Sequence, residues 1–148
     1  MRAPAPTVAL RRARDAAERS AAVELRIRVF CDEQGVSRED EIDGRDDDAV
    51  HLVALERGAV VGTCRLLFDG TTCKLGRLVV ARDARRRGIG GGLLGLAERE
   101  ARAAGAERIV LNAQTRARGV YRAAGYTEGG DTFMEAGIEH IRMERPLA

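Results

Sequence analysis

The sequence predicts a single α/β domain over residues 1–148, built on a mixed, mostly antiparallel sheet flanked by helices. This fold class is indicated by the order of the segments. A meander of three strand-like stretches is followed by a long amphipathic helix, and then by a strand, a short helix and a hairpin. The length of 148 residues is typical of one domain. A hydrophobic content of 45% is enough for a core, which must be mostly aliphatic because aromatic residues make up only 3%.

The segments before the meander are predicted to be a strand, a helix and an acidic stretch. Residues 8–12 are predicted as a short strand, and apolar residues at helical spacing predict a helix over residues 15–30. Residues 37–48 contain seven acidic residues and two arginines. This charge density is typical of a solvated loop or a short frayed helix.

The meander is predicted at residues 51–56, 60–68 and 72–80, and Asp69-Gly70 is a strong hairpin signal for its second turn. The long helix follows at residues 88–104 and ends before a glycine that suits a helix cap. The remaining elements are predicted to be a strand, a short helix and two hairpin strands, at residues 108–112, 115–124, 126–128 and 138–145.

A glycine-rich segment joins the third strand of the meander to the long helix. It reads Arg85-Arg86-Arg87-Gly88-Ile89-Gly90-Gly91-Gly92. Glycines let the backbone come close to a ligand, and the helix N-terminus adds a partial positive charge beside the three arginines. The segment therefore predicts an anion pocket for a phosphate or diphosphate. A Walker A motif fits poorly, because no Lys-Ser/Thr follows Gly88. A Rossmann motif also fits poorly, because it would open the first βα unit, whereas these glycines come after antiparallel hairpins.

Two motifs resemble those of the GNAT acyltransferase superfamily. Arg85-x-x-Gly88-x-Gly90 is similar to the acyl-CoA signature [QR]-x-x-G-x-[GA], and residues 114–126 resemble the element N-x-x-A-x-x-x-Y-x-x-x-G-[FY]. Residues 28–35, 43–51 and 137–140 resemble the small bacterial ElaA-like branch. The sequence departs from the family at Arg86, where glycine is common, and at Gln114, where asparagine is usual.

The resemblance implies a fold in which the fourth and fifth strands splay apart and acyl-CoA lies in the gap. It implies an acetyl-CoA-dependent N-acetyltransferase that acts by direct attack in a ternary complex on an amine of an unidentified acceptor, which we expect to be a small molecule. A non-catalytic acyl-CoA sensor with the same fold is the alternative. The residues expected to bind acetyl-CoA are Leu78, Val79, Val80, Arg85, Arg86, Arg87, Gly88, Ile89, Gly90, Gly91 and Asn112.

The resemblance also assigns a general acid to Tyr121, which would protonate the departing CoA thiolate. From the residue alone, a core tyrosine is the other interpretation. A general base is left open among Glu33, His51, His140 and an ordered water. Asn112 either bonds the pantetheine or ends its strand, and Arg65 and Arg77 lie either on a solvated face or in the substrate cleft.

Composition limits the partners that we expect. A net charge of +2 argues against a dedicated nucleic-acid binder, and three cysteines at irregular spacing predict no metal site. The first residues lack the apolar region of a signal peptide and no segment has transmembrane length, so we expect a soluble cytoplasmic protein, monomeric or homodimeric. If the acidic stretch borders the acceptor site as an exposed surface, it favours a cationic amine.

Overall fold

The computed structural model describes residues 7–147, so residues 1–6, which bear on the signal-peptide expectation, lie outside the described residues. The α-helices of the described part are α1 Ala16–Arg26, α2 Arg38–Glu41, α3 Ile89–Ala103 and α4 Arg118–Ala123. Its strands are β1 Val8–Arg12, β2 Val50–Glu56, β3 Ala59–Asp69, β4 Thr72–Val80, β5 Arg108–Gln114, β6 Thr127–Glu135 and β7 Ile138–Pro146. None of the helices in residues 7–147 is both long and apolar enough to cross a membrane.

The strands form one seven-stranded sheet in the order β1-β2-β3-β4-β5-β7-β6. All neighbours are antiparallel except β4 and β5, which are parallel, so the predicted mixed and mostly antiparallel sheet is confirmed. Side chains that alternate along β2 divide between two cores. Leu52 packs in the larger core with α3, while Val53 packs with Ala22 of α1 on the opposite face.

Helix α3 lies close against β3 because Gly62 has no side chain. A Cβ atom at this position would come within 3.0 Å of Ile89 Cγ2 and 3.1 Å of Leu93 Cδ1. Both of these side chains are buried in the larger core. Gly62 therefore fixes the distance between the sheet and the helix that begins at the glycine-rich loop.

Strands β4 and β5 pair over only three residues. Thr72–Lys74 pairs with residues 108–110, and no ladder continues between the two strands beyond that point in the described part. Strand β5 meanwhile remains paired with β7 as far as Gln114. The two strands thus diverge, as the family resemblance implies, and the β5-facing edge of β4 is left unpaired from Leu75 onward.

A β-bulge in β4 lies beside this gap. Thr63 pairs with Val79 and Arg65 with Gly76, so that Arg77 and Leu78 together oppose one residue of β3. Arg77 adopts a φ of 57°, which is rare for a residue with a side chain. The additional residue reverses the alternation of the strand: before the bulge odd-numbered side chains face α3, whereas Val79 faces α1.

Two predicted boundaries differ from the structure. The first helix does not end at Phe30 but continues after α1 as a π-helical segment, Ile27–Glu33. Strand β6 runs to Glu135, although Gly129 and Gly130 resemble turn residues in the sequence. These glycines instead form an irregularity in the pairing with β7, between Gly129 and Phe133, and the strand resumes beyond it.

Candidate active site

The loop between β4 and α3 presents a row of backbone N–H groups. Gly88 caps α3 with a φ of 80°, and Arg86 also lies in the left-handed region with a φ of 63°. Within residues 7–147, no group accepts a hydrogen bond from the backbone N–H groups of residues 86–91. The row of donors at the N-terminus of a 15-residue helix makes a cradle for an anion. The left-handed φ at Arg86 is a conformation that glycine adopts without strain.

The three arginines of the loop have different surroundings. Both Nη atoms of Arg85 donate to the Glu33 carboxylate at 2.9 Å, and its Nε donates to the carbonyl oxygen of Val80 at 3.0 Å. Arg87 pairs with Glu56 at the end of β2. Arg86 is exposed and forms no ion pair within the described residues, so its guanidinium is available to a ligand.

Two cavities flank the gap between β4 and β5. The smaller, of about 420 Å³, is bordered by Glu33, Arg85 and the end of β4 from Leu78 to Val80. The larger, of about 1000 Å³, extends from the acidic segment, residues 37–48, to the β6–β7 hairpin. Both are lined by Gln34, Leu78 and Arg116, so they meet at the bulged part of β4.

A chain of side-chain hydrogen bonds crosses this junction. Gln114 Nε2 donates to Gln34 Oε1 at 2.9 Å, and Arg116 Nε donates to Gln114 Oε1 at 2.9 Å. The long side chain of Gln114 reaches from β5 to the end of the π-helical segment. The departure at Gln114 from the usual asparagine therefore links the two sides of the gap.

Tyr121 of α4 lines the larger cavity. Its ring meets that of Tyr126 edge to face, with the ring centroids 5.8 Å apart. Burial raises the pKa of Tyr121 to about 12, so the phenol is protonated at neutral pH and can donate a proton. Asn112 and Gln114 line the same cavity because alternate side chains of β5 face it.

The structure separates the three candidates for the general base. Glu33 borders the smaller cavity, and the hydrogen bonds from Arg85 lower the pKa of its carboxyl, which makes it a weak proton acceptor. His51 is buried, donates from Nε2 to the carbonyl oxygen of Asp46 at 2.8 Å, and lines neither cavity. His140 lines the larger cavity. These placements favour structural roles for Glu33 and His51, whose predicted catalytic roles stay predictions.

The expectation that residues 37–48 form a solvated, cation-attracting segment is wrong for the residues that pack inward. Arg26, only 1% exposed, donates to Glu41 at 2.5 Å and to Asp46 at 2.6 Å. Arg65 donates to Asp43 at 2.8 Å and to Asp46 at 3.0 Å. The inward-facing carboxylates are therefore neutralised by Arg26 of α1 and Arg65 of β3.

Arg77 extends this ion-pair network to the gap. Its Nε lies 2.7 Å from Glu41 Oε2, and its Nη2 donates to the Glu41 carbonyl oxygen at 3.1 Å. The network thus connects the acidic segment to the β4 bulge, and neither Arg65 nor Arg77 lies on a merely solvated face. Residues of both charges line the larger cavity beyond the network, with Asp40, Asp69 and Glu135 opposed by Arg45, Lys74 and Arg116.

Comparison with known proteins decides the family. A family model described as an acetyltransferase (GNAT) domain matches residues 16–147. The chain belongs to the GNAT acetyltransferase family. It is 35% identical over 120 residues to the Bacillus subtilis N-acetyltransferase YjcF, covering 80% of this chain and 86% of YjcF.

Solved structures agree with this assignment. An acyl-CoA N-acyltransferase from Pseudomonas aeruginosa superimposes with a TM-score of 0.82 at 28% identity, over 95% of this chain and 99% of that one. Escherichia coli ElaA gives a TM-score of 0.82 at 23% identity, over the same shares, and supports the fold. The chain is accordingly an acyltransferase of the GNAT fold, with β4 and β5 in the splayed arrangement.

Sequence reasoning missed several residues that shape this GNAT site. The buried Arg26, the bulge at Arg77 and the pairing of Gln34 with Gln114 depend on contacts between distant segments. The one local signal for Gln34 was its place beside Glu33 at the end of a helical pattern. Glu135 gave no signal, because residues 129–137 are predicted as the loop between the two hairpin strands, whereas β6 continues to Glu135.

Proposed function

We propose that this GNAT acetyltransferase transfers an acetyl group from acetyl-CoA to the amine of a small acceptor, by direct attack in a ternary complex. The observation that carries the proposal is the meeting of two cavities at the β4 bulge. The smaller is bordered by the end of β4, a backbone edge along which an extended donor can lie, and the larger leaves room for a second substrate. Simultaneous occupation of both cavities is what direct attack requires.

The donor is assigned to the loop and to the free edge of β4. The unpaired N–H groups of residues 86–91 bind the diphosphate, and Arg86 adds a charge-assisted contact to a phosphate. The backbone groups on the free edge of the stretch Leu78–Val80 pair with the pantetheine amides as an added strand would. Asn112, whose side chain lines the larger cavity, supplies an amide on the other side of the gap.

The chemical step then depends on polarisation and proton transfer. A backbone N–H group at the β4 bulge polarises the thioester carbonyl and stabilises the oxyanion as the acceptor nitrogen attacks. Tyr121 donates a proton to the sulfur as the carbon–sulfur bond breaks. The balanced charges of the larger cavity do not select a cationic acceptor, so the proposal is restricted to a small-molecule amine.

The test measures CoA thiol release from acetyl-CoA over a panel of polyamines, amino acids, aminoglycosides and short peptides. An N-acetyltransferase releases thiol only when an amine is present, and the product carries one acetyl group on nitrogen by mass spectrometry. Binding of CoA by calorimetry without release over the whole panel would support the sensor alternative instead.

A further inference from the structure

His140 occupies a defined position in the wall of the larger cavity. It lies on β7, opposite Gln114 of β5 and Phe133 of β6. Its ring is stacked on Phe133 with the centroids 6.0 Å apart and the planes inclined by 23°. The residue is 8% exposed and lines the cavity that Tyr121 also lines. The stack and the burial hold the ring in one orientation.

The hydrogen bond of this ring fixes its tautomer. Nδ1 lies 2.7 Å from the carbonyl oxygen of Ile138. A carbonyl oxygen can only accept, so Nδ1 carries the hydrogen atom, and in the neutral imidazole Nε2 carries the lone pair. His51 has the opposite arrangement, because its Nε2 donates to Asp46. Of the two histidines in the chain, His140 is therefore the one with a basic Nε2.

A carboxylate stands beside this basic atom. Glu135 Oε2 lies 3.7 Å from His140 Nε2, and the Glu135 side chain is 47% exposed. A two-residue turn, Ala136-Gly137, connects the strands that bear the two side chains, and Glu135 pairs with Ile138 across it. The carboxylate can stabilise an imidazolium at His140 and pass its proton to solvent.

We infer that His140 is the general base of acetyl transfer and that Glu135 positions and stabilises it. The inference rests on the proposed N-acetyltransferase function. As the bond between the acceptor nitrogen and the acetyl carbon forms, His140 Nε2 takes a proton from that nitrogen. The carbon–sulfur bond breaks, the sulfur receives its proton from Tyr121, and the two proton transfers balance. Glu33 is engaged by Arg85 and His51 lies outside both cavities, so neither competes for this role.

The first test reads the tautomers directly. In a long-range nitrogen–proton NMR spectrum of uniformly ¹⁵N-labelled protein at a pH where the rings are neutral, the two histidines give two sets of ring signals, assigned with the His51→Gln variant. We expect an Nδ1–H tautomer for His140 and an Nε2–H tautomer for His51. An Nε2–H tautomer at His140 would overturn the inference.

The second test is kinetic and uses the acceptor with the highest kcat/KM in the amine panel. His140→Gln should lower kcat by roughly 10²-fold or more while the CoA dissociation constant from calorimetry stays the same. Added imidazole should restore part of the activity of His140→Ala but none to Tyr121→Phe. Glu135→Gln should lower kcat by a smaller factor while the KM for the acceptor stays the same, because it weakens the base and not the binding.

The outcomes separate this inference from the function on which it rests. A wild-type protein that acetylates an amine, with a His140→Gln variant within about twofold of its kcat, overturns the inference and leaves the function intact. A wild-type protein that releases no thiol with any amine overturns both. Equal rescue of His140→Ala and Tyr121→Phe by imidazole would also overturn the assignment of the base.

Discussion

The two tyrosines of the chain touch each other but have different chemical surroundings. Tyr121 lines the larger cavity, whereas the hydroxyl of the buried Tyr126 donates to Glu98 at 3.3 Å. This pair offers a matched comparison, since the same substitution removes one hydroxyl from each ring. Tyr121→Phe should lower kcat by roughly 10²-fold because the thiolate loses its proton donor.

Tyr126→Phe serves as the control. It should leave kcat within about twofold and lower the free energy of unfolding by about 1 kcal/mol, through loss of the hydrogen bond to Glu98. Steady-state kinetics and urea denaturation measure the two effects. Normal turnover of Tyr121→Phe would make Tyr121 a packing residue.

Arg26 is the most deeply buried charged residue of the network beneath the acidic segment. Its guanidinium is 1% exposed and its partner Glu41 is 2% exposed. Arg26→Met leaves a buried carboxylate without its principal cation, so the free energy of unfolding should fall by about 3–5 kcal/mol. Arg12→Met removes the exposed pair with Glu100 and should cost less than about 1 kcal/mol. Equal losses of unfolding free energy in the two variants, measured by chemical denaturation, would show that the buried ion pair stabilises the fold no more than the exposed one.

Single residues were predictable where their chemistry is encoded locally. Arg85, Gly88 and Tyr121 belong to short motifs with fixed spacing, and the structure places them at the loop and in the cavity walls, while their roles stay predictions. The pairing of Arg26 with Glu41 was not, because sequence patterns report charge density but do not show which charges a fold brings together. A run of carboxylates therefore looked solvated although part of it is buried.

The turns of the β2–β3 and β6–β7 hairpins contain residues other than glycine in a strained backbone conformation. Ala136 and Gly137 have φ values of 51° and 78°, and Arg57 and Gly58 of the β2–β3 turn have 52° and 79°. Positive φ at both positions is the geometry of a type I′ turn, in which Asn-Gly is favoured. Ala136→Asn and Arg57→Asn should each raise the free energy of unfolding by about 0.5–1 kcal/mol in urea denaturation. Ala136→Val should lower it, and a stabilising Ala136→Val would refute the strain.

The ion pair between Asp43 and Arg65 should stabilise the fold less as the pH falls. Hydrogen bonds from Arg65 hold the pKa of Asp43 well below its usual range. A carboxyl whose pKa is lower in the folded state stabilises the fold above its unfolded pKa of about 3.9, and this contribution is lost as the pH falls toward the folded value. The stability difference between wild type and Asp43→Asn should therefore be constant near neutral pH and shrink below about pH 4.

Urea denaturation from pH 7 to pH 2 measures this difference. Arg65→Met should cost at least as much stability near neutral pH, because it removes the pair with Asp43 and also the one with Asp46, and its effect should likewise shrink below about pH 4. A difference that is independent of pH would mean that Asp43 is not stabilised as a carboxylate by Arg65.

The order of the elements was predictable, and some of their irregularities were not. Periodicity and turn residues identified β1 to β5 and α3 within about two residues. Glycines at the start of β6 resembled a loop because a bulge and a turn use the same residue types. Gly76, inside the strand pattern, is the one local signal for the bulge at Arg77, but its position depends on the pairing with β3.

At the scale of the whole molecule, the proposed function gives the two ends of α3 different roles. Gly88 precedes the helix with a φ of 80°, and Gly105 follows it with a φ of 85°. A Cβ atom at either position would meet no atom within 4 Å, so valine imposes a similar backbone strain at both. Only Gly88 lies in the cradle assigned to the diphosphate.

Calorimetric titration with CoA of the wild type, Gly88→Val and Gly105→Val tests this central claim most directly. Gly88→Val should weaken CoA binding by tenfold or more, about 1.4 kcal/mol, because the loop can no longer present its N–H groups. Gly105→Val should bind CoA as the wild type does, although both variants lose similar stability. Unchanged CoA affinity in Gly88→Val, or an equal loss in the two variants, would contradict the placement of the donor on this loop.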